Sequence, residues 1–477
     1  MIDTNSITLA QDISKLITED RVSKEKKNME VSLKYYNKKH DILNYRLFYV
    51  NNDNQLVEEK NRSNIKIAHA FYTEQIDQKV NYLLANPIEF KTNNERLESY
   101  LKQYITPQVQ LLLQEAVEGA SLKGAEAIYY SYDRQGKIQF DIADMQNLIL
   151  IPDENGAIKQ VLRNYIVNSR KDGKPVQLHK AELYTEQVVY YFVKDDKEYK
   201  LDTSRPINPA PHKLLVKDGK VFKPTEARLP FLFIDNNKQR TNDLDAIKNL
   251  IDDYDLMASA LSNNITDFDT PIYAVSGYDG DSLDHLVNNL KTRKTITTGA
   301  DGSLDVKTVD IPVEARKAKL AIDKENIYKF GMAFDSSQSG DGNITNIVIE
   351  SRYSLLNIKC NKAETRLRQL IDEMLELILA NIKELTSETF DVTEIEVVIT
   401  RKAVMNDKEL AEQEQNKALA RMNRVNAIMN SGLVLDDSIV AELLAKEFEL
   451  DTDKVVTAMI ENSQPRLLSD DYEQEVE

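Results

Sequence analysis

The side chains with the most chemistry to offer in this chain are five histidines, one cysteine and two aspartate doublets. Histidine and cysteine at ligand spacing would hold a zinc ion. His40, His69, His179, His212 and His285 fall in different segments and show no such spacing. Cys360 stands alone, which removes an internal disulfide and any cysteine-rich metal centre. It reads as a small apolar residue in a helix, kept in a reducing compartment. Asp252-Asp253 and Asp470-Asp471 are carboxylate pairs of the kind that do acid–base work. Their plainer reading is a solvated helix face and an acidic tail. Gly340-Asp341-Gly342 is too short and isolated for a nucleotide cradle. There is no phosphate-binding glycine–lysine loop, no dinucleotide fingerprint and no Gly-x-Ser-x-Gly elbow. The residues point to a protein that is not an enzyme and uses no cofactor, with an all-carboxylate site left open.

Composition narrows the class further. The 477 residues give room for roughly two to four domains. Apolar residues make up 42% and charged ones 29%, an ordinary globular balance. The net charge is −17 and the pI near 5.0. A protein that grips nucleic acid needs clustered Lys and Arg, so a broad basic clamp is excluded. A protein that surrounds nucleic acid without gripping it is not. The polar, acidic start, Met1 to Asp20, does not read as a signal peptide. No apolar run approaches a membrane span, so a soluble intracellular protein is expected.

Periodicity supplies the elements that must position these residues. Ile7 to Tyr36 has helical spacing, and its run Lys24-Glu25-Lys26-Lys27 reads as a solvated face. A short strand is expected over Tyr45–Val50. Ile65 to Leu84 is an amphipathic helix stopped by Pro87. Helices over Leu97–Tyr104 and Val109–Ser121 close at Gly124. The period then changes to two. Ala127–Tyr132 and Ile138–Ile142 read as a hairpin around Asp133–Gly136. Strands continue at Leu148–Ile151, Val161–Val167, Ala181–Thr185 and Val188–Val193, and the sheet-rich region ends near Leu229–Asn237.

A long helix, Asn242 to Phe268, follows. Its apolar stripe includes Leu244, Ile247, Ile251, Tyr254 and Ile265, and it makes a rod of roughly 37 Å. Asp269 to Pro312 is a small α/β insert, too small to stand alone. A return helix, Val313 to Phe334, carries Arg316, Lys317, Lys319, Lys324 and Lys329. The first rod is acidic, with Asp243, Asp245, Asp252, Asp253, Asp255 and Asp267. Complementary charge is expected to help set the pairing of the two rods, at about 0–1 kcal/mol per exposed pair. Asp335-Ser336-Ser337-Gln338-Ser339-Gly340-Asp341-Gly342-Asn343 is a polar loop. Beyond it, Ile344–Ile382 is the longest helical pattern, roughly 58 Å. A strand over Glu394–Thr400 and a helix capped by Asn406 and Glu409 come next, ending at Gly432. Short helices over Asp436–Glu447 and Thr452–Ile460 and an acidic tail complete the pattern.

In this order the residues resemble the portal proteins of tailed bacteriophages. Asn64-Ile65-Lys66 through Tyr82-Leu83-Leu84-Ala85-Asn86-Pro87-Ile88 is similar to the family's early helix and the turn that ends it, with Ala85-Asn86 where glycine is common. Gly124 and the hairpin Ala125–Phe140 resemble the start of its wing. Leu229-Pro230-Phe231 to Asn236-Asn237 resembles the run before its stem. Helix, β insert, helix, polar loop and long helix resemble stem, clip, stem, tunnel loop and the helix behind it.

The resemblance implies an α+β portal fold. Residues 1–241 would be an α/β wing, 242–268 and 313–334 a two-helix stem, and 269–312 a clip. Residues 335–343 would be the tunnel loop facing DNA, 344–405 a long wing helix and return strand, 406–465 a helical crown, and 466–477 a disordered tail. It further implies a homo-oligomeric ring of twelve at one capsid vertex of the virion, assembled in the host cytoplasm. Its partners would be the large terminase motor, major capsid and scaffolding proteins, and the head-completion or adaptor protein. Double-stranded DNA would pass through the ring, and no membrane is involved. Lys291, Arg293 and Lys294 form the densest basic cluster of the insert, a contact for motor or DNA or simply a solvated edge. Two rivals stay open: another ring component such as an adaptor or neck protein, which is usually shorter, and an enzyme with an unrecognised site.

Overall fold

A computed structural model describes residues 2–448 apart from 5–7, 61, 172–173, 196–197, 213–214, 218–219, 223–227, 269–271, 277–281, 283, 285, 287, 289–301, 309, 336–345, 402–406 and 432–436. By internal contacts the chain divides into two units, residues 1–339 with 353–402, and 340–352 with 403–477.

The first unit opens with α1 (Leu9–Arg21) and α2 (Lys24–Tyr36), where the periodicity predicts one continuous helix. Ser23 divides them. Its backbone is extended and its hydroxyl accepts from the Lys26 N–H at 3.2 Å, a helix N-cap. The Lys24–Lys27 run is also not a uniformly solvated face. Lys26 Nζ turns inward and donates to the carbonyls of Met145, Gln146 and Leu148 at 2.7, 3.0 and 2.6 Å. Burial pushes this ammonium below its usual range even though Asp20 pulls the other way.

A hairpin of β1 (Phe48–Val50) and β2 (Leu56–Glu58) precedes α3 (Phe71–Leu84). The sequence predicts this helix from Ile65, but residues 63–69 run as an extended strap whose N–H groups are bonded elsewhere. β3 (Glu89–Lys91), α4 (Glu95–Tyr104) and α5 (Pro107–Lys123) follow. Gly124 ends α5 at φ 87°, and a Cβ there would sit 2.0 Å from the Arg240 carbonyl oxygen. Only glycine lets the chain that leads into the next long helix pass so close.

The predicted hairpin is β4 (Ala125–Tyr132) and β5 (Ile138–Ala143), with Tyr129 opposite Asp141. Then come β6 (Leu148–Pro152), β7 (Ile158–Lys171), β8 (Lys174–Tyr184), β9 (Val188–Asp195), β10 (Glu198–Leu201) and β11 (Ala210–Pro211). They form one antiparallel sheet in the order β10-β9-β8-β7-β6, with β11 on β9. β12 (Leu215–Lys217) pairs β13 (Lys220–Phe222). β14 (Phe231–Asp235), from the Leu229–Asn237 run, pairs β4 to make the sheet β14-β4-β5.

The two rods are α6 (Lys248–Phe268) and α7 (Val313–Gly331). Between them β15 (Ile272–Ser276) pairs β16 (Ser303–Lys307) antiparallel. α8 (Asn346–Thr386) runs 41 residues, about 60 Å of helix. β17 (Glu396–Val398) then pairs β3. The main core lies where α3, α4, α5 and α8 meet one face of β4 and β5, around Leu97, Leu113, Ile128, Leu367 and Ile378. A second cluster, Tyr35, Tyr72, Ile76, Leu244, Ile251 and Ile327, packs the bases of the rods against α2 and α3.

The second unit contains α9 (Asp407–Ser431) and α10 (Asp437–Phe448). They are joined by the Arg424–Glu447 pair at 2.9 Å. The predicted cap at Asn406, the helix over Thr452–Ile460 and the acidic tail lie outside the described residues.

Candidate functional site

The two rods depart from their sequence boundaries at the same place, their common root. Asn242 caps a 3-10 turn, Asp243–Ala246, and the α-helix proper begins only at Lys248. The cause is Asp243. Its carboxylate is drawn between Lys79 of α3 and Lys359 of α8, each 3.0 Å away. Asn236 donates to it at 2.8 Å and accepts from Lys79 at 2.9 Å. Burial alone would raise the Asp243 carboxyl, but Lys359 and Lys79 outweigh it and hold the group well below the usual range. Lys359 also donates to the carbonyl of Gly331, the last residue of α7, at 3.0 Å. One buried knot therefore joins both rod bases to two helices of the main core. Cys360 lies beside it, and burial pushes its thiol up to about 11, that of an inert packed residue.

The return rod ends at Gly331 rather than Phe334 because Met332 adopts a left-handed conformation, φ 53°. A Cβ at Gly331 would stand 1.9 Å from Gln75 Oε1, so helix α3 can press against the end of α7. One face of α3 grips this end. The Tyr328 hydroxyl donates to Glu74 at 2.6 Å, and Gln75 donates to the Ile327 carbonyl at 3.2 Å. The Gln78 amide pairs both ways with the Phe334 backbone, at 2.8 and 3.1 Å. Phe334 stacks on Tyr353 of α8 with centroids 4.5 Å apart. Asp335, first of the predicted tunnel loop, is ion-paired with Lys324 at 3.1 Å. The chain is thus clamped up to the residue where that loop begins. Ser336, Ser337, Gln338, Ser339, Gly340, Asp341, Gly342 and Asn343 lie outside the described residues, as do Lys291, Arg293 and Lys294.

Along its length α6 is held by the strap. Asp255, Ser259, Asn263 and Asp267 stand four residues apart, on one stripe of the helix. Their side chains accept from the backbone N–H groups of His69, Ile67, Ile65 and Ser63 at 3.0, 3.0, 2.6 and 3.0 Å. The match is geometric. Four helical residues rise about 6 Å, and two extended residues advance about 6.6 Å. Every second strap N–H therefore meets the next helical rung, and the stripe acts as the edge of a missing strand. At the buried rung Asp255 also takes His40 Nδ1 at 2.6 Å and His69 Nδ1 at 2.7 Å. Burial raises the Asp255 carboxyl, yet the hydrogen bonds from His40 and His69 win and leave it below its usual range.

The predicted charge match between the rods is only partly realised. Lys319 reaches Asp253 across the gap at 2.6 Å and also pairs with Asp323 on its own helix. Arg316 lies against Asn264, and with the Asn264 amide turned over its oxygen accepts from the guanidinium at 2.7 and 3.0 Å. Lys317 pairs with Glu314 of its own helix, Lys324 pairs with Asp335, and Lys329 is exposed. Asp252 turns to Lys248 at 2.7 Å and to the Tyr35 hydroxyl, so the Asp252-Asp253 doublet is two separate ion pairs. Among the described residues no cluster of three His, Cys, Asp or Glu is placed to hold a metal ion. Sequence reading missed the knot and the histidine rung. The four-residue spacing of Asp255, Ser259, Asn263 and Asp267 was the available signal.

The described residues thus build a helical hairpin with a small β insert, rooted in a mixed domain by a charge knot. The sequence profile described as "Phage portal protein, SPP1 Gp6-like" matches residues 17–423. The chain belongs to that family, and it is a phage portal protein that forms a ring at the capsid vertex of the virion. It is 29% identical to the portal protein of Bacillus phage SPP1 over 385 residues, 80% of this chain and 75% of that one. It is 26% identical to the portal protein of Clostridium phage phiCD119 over 398 residues, 79% and 83% respectively. A solved structure titled "Neck of native GTA particle computed with C12 symmetry" is similar over 78% of this chain and 89% of that chain, at TM-score 0.36 and 16% identity. No described helix is long and apolar enough to cross a membrane.

Proposed function

We propose that α6 and α7 are the stem of the ring, that 269–312 is its clip, and that 335–343 is a tunnel loop facing double-stranded DNA. On this reading residues 1–241 with 344–405 form the wing and 406–465 the crown. Twelve copies surround the duplex during packaging and ejection. The clip docks the terminase motor and later the head-completion protein, with Lys291, Arg293 and Lys294 as its basic contact. Capsid and scaffolding proteins meet the ring from outside, and the chain is a conduit rather than an enzyme.

The observation that carries this reading is the clamp on both rod bases. A channel whose loop must yield to a passing helix needs rods with fixed bases and a loop that starts from a fixed point. Asp243, Gly331 and Phe334 are all tied to α3 or α8. The charge agrees. DNA carries one charge per roughly 1.7 Å of axis, and a wall of chains at −17 each repels it from every side. Such a channel is a sleeve. Deleting residues 337–342 is expected to leave ring assembly intact and to impair packaging of DNA into heads. Normal packaging by that variant sinks the tunnel-loop assignment.

A further inference from the structure

The exposed apolar residues of the first unit are not spread evenly. Seven of them, Leu43, Tyr45, Phe48, Tyr49, Val50, Leu56 and Ile65, fall within one short stretch and are 40–69% exposed. That stretch is the β1–β2 hairpin and its flanks. A two-stranded ribbon is marginal in water without a face to pack on, and β1–β2 pairs with no further strand among the described residues. Yet the hairpin is held in place. Its return limb is the strap, bonded rung by rung to α6 up to Asp267. Lys66 Nζ closes its base on the Leu43 carbonyl at 2.9 Å. A pinned apolar patch of this kind marks an interaction surface.

We propose that this arm docks on the next copy of the same chain and clasps adjacent stems in the ring. The inference rests on the portal-ring reading. Two observations select a second copy as the occupant. The chain carries −17, so like copies repel. Residues 43–66 hold Arg46, Lys60, Arg62 and Lys66 against Asp53, Glu58 and Glu59, a local +1. The arm is therefore an apolar surface on which an acidic copy can settle without like-charge opposition. A cyclic ring also needs a heterologous contact, in which one face of each subunit meets a different face of the next. An arm that protrudes beside the outer part of α6 provides such a face.

The test compares the full-length protein with a Phe48→Asp/Leu56→Asp variant, with Leu201→Asp as an exposed apolar control on β10. Circular dichroism and thermal melting establish that all three fold. Sedimentation and negative-stain imaging read assembly, and hydrogen exchange reads residues 48–58 in wild-type rings and monomers. The proposal expects the arm variant to need at least tenfold more protein to form rings, while the control assembles as wild type does. It also expects slower exchange of the arm in rings than in monomers. Rings from the arm variant at wild-type concentration, with equal arm exchange in both states, overturn the proposal and leave the ring reading standing. The arm would then face a different macromolecule of the particle. Wild type that stays monomeric under all salts tried sinks both readings.

Discussion

The paired rods α6 and α7 are fixed at their root and along their length by opposite means. At the root, a single carboxylate, only 13% exposed, balances two ammonium groups that come from distant helices. Along the length, four polar side chains share the work, graded from the fully buried Asp255 to the more accessible Asp267. Breaking a largely buried ion cluster is costly because water reaches the charges left behind only poorly. Losing one rung of a ladder near solvent is not, because water replaces the missing acceptor. The root is therefore built as an all-or-none joint. The strap is built as a zipper that can open from its outer end.

The contrast is sharpest for Asp243. Replacing it with Ala leaves Lys79 and Lys359 facing each other, and a loss of about 3–5 kcal/mol is expected. Calorimetry of the isolated subunit checks this. A loss as small as that of a rung would show that the knot is not a separate joint. Asp255→Asn comes next. It keeps the shape but weakens the bonds from His40 and His69, at about 1.5–3 kcal/mol, read as a lower unfolding midpoint in denaturant.

Acid should act on both regions, with a sign that can be checked. Asp243 and Asp255 each have a folded-state carboxyl below the ordinary aspartate value of 3.8. Each therefore contributes stability that is present above 3.8 and is lost as pH falls through the lower folded value. Amide exchange at Ile65, Ile67 and His69 should quicken below that point in wild type and lose this dependence in Asp255→Asn. An unchanged profile in the variant would place the acid sensitivity elsewhere. Ser259→Ala removes a neutral rung and should cost about 0.5–1.5 kcal/mol, with faster exchange confined to Ile67. At the bottom of the scale, Glu314→Gln removes the exposed partner of Lys317. It should change stability by less than about 1 kcal/mol and less still in high salt; a larger effect would mean that α7 is held by its surface charges after all.

Much of the fold was legible because its signals are local. The β4–β5 hairpin shows in a two-residue period and a turn at Gly136. The α5 stop shows in Gly124, and the order of rod, β insert and rod shows in apolar spacing. The failures were also physical. Ile7–Tyr36 reads as one helix by periodicity, but the Ser23 cap divides it. Ile65–Leu84 reads as helix throughout, but the strap N–H groups find better acceptors on α6 than a first helical turn could offer. The rod charges suggested mutual pairing, and most of the acids turned to other partners instead.

By itself the sequence determined the type and order of most elements, the absence of familiar catalytic motifs, and a net charge unsuited to gripping DNA. These follow from composition and from periods of two and 3.6 residues, which act within a few neighbours. Only the tertiary structure decided that Lys79, Asp243 and Lys359 form one knot, and that His40 and His69 share Asp255. It also decided which half of a predicted helix becomes a strap. These contacts join residues up to hundreds of positions apart, and their strength comes from burial, a property that no single segment carries.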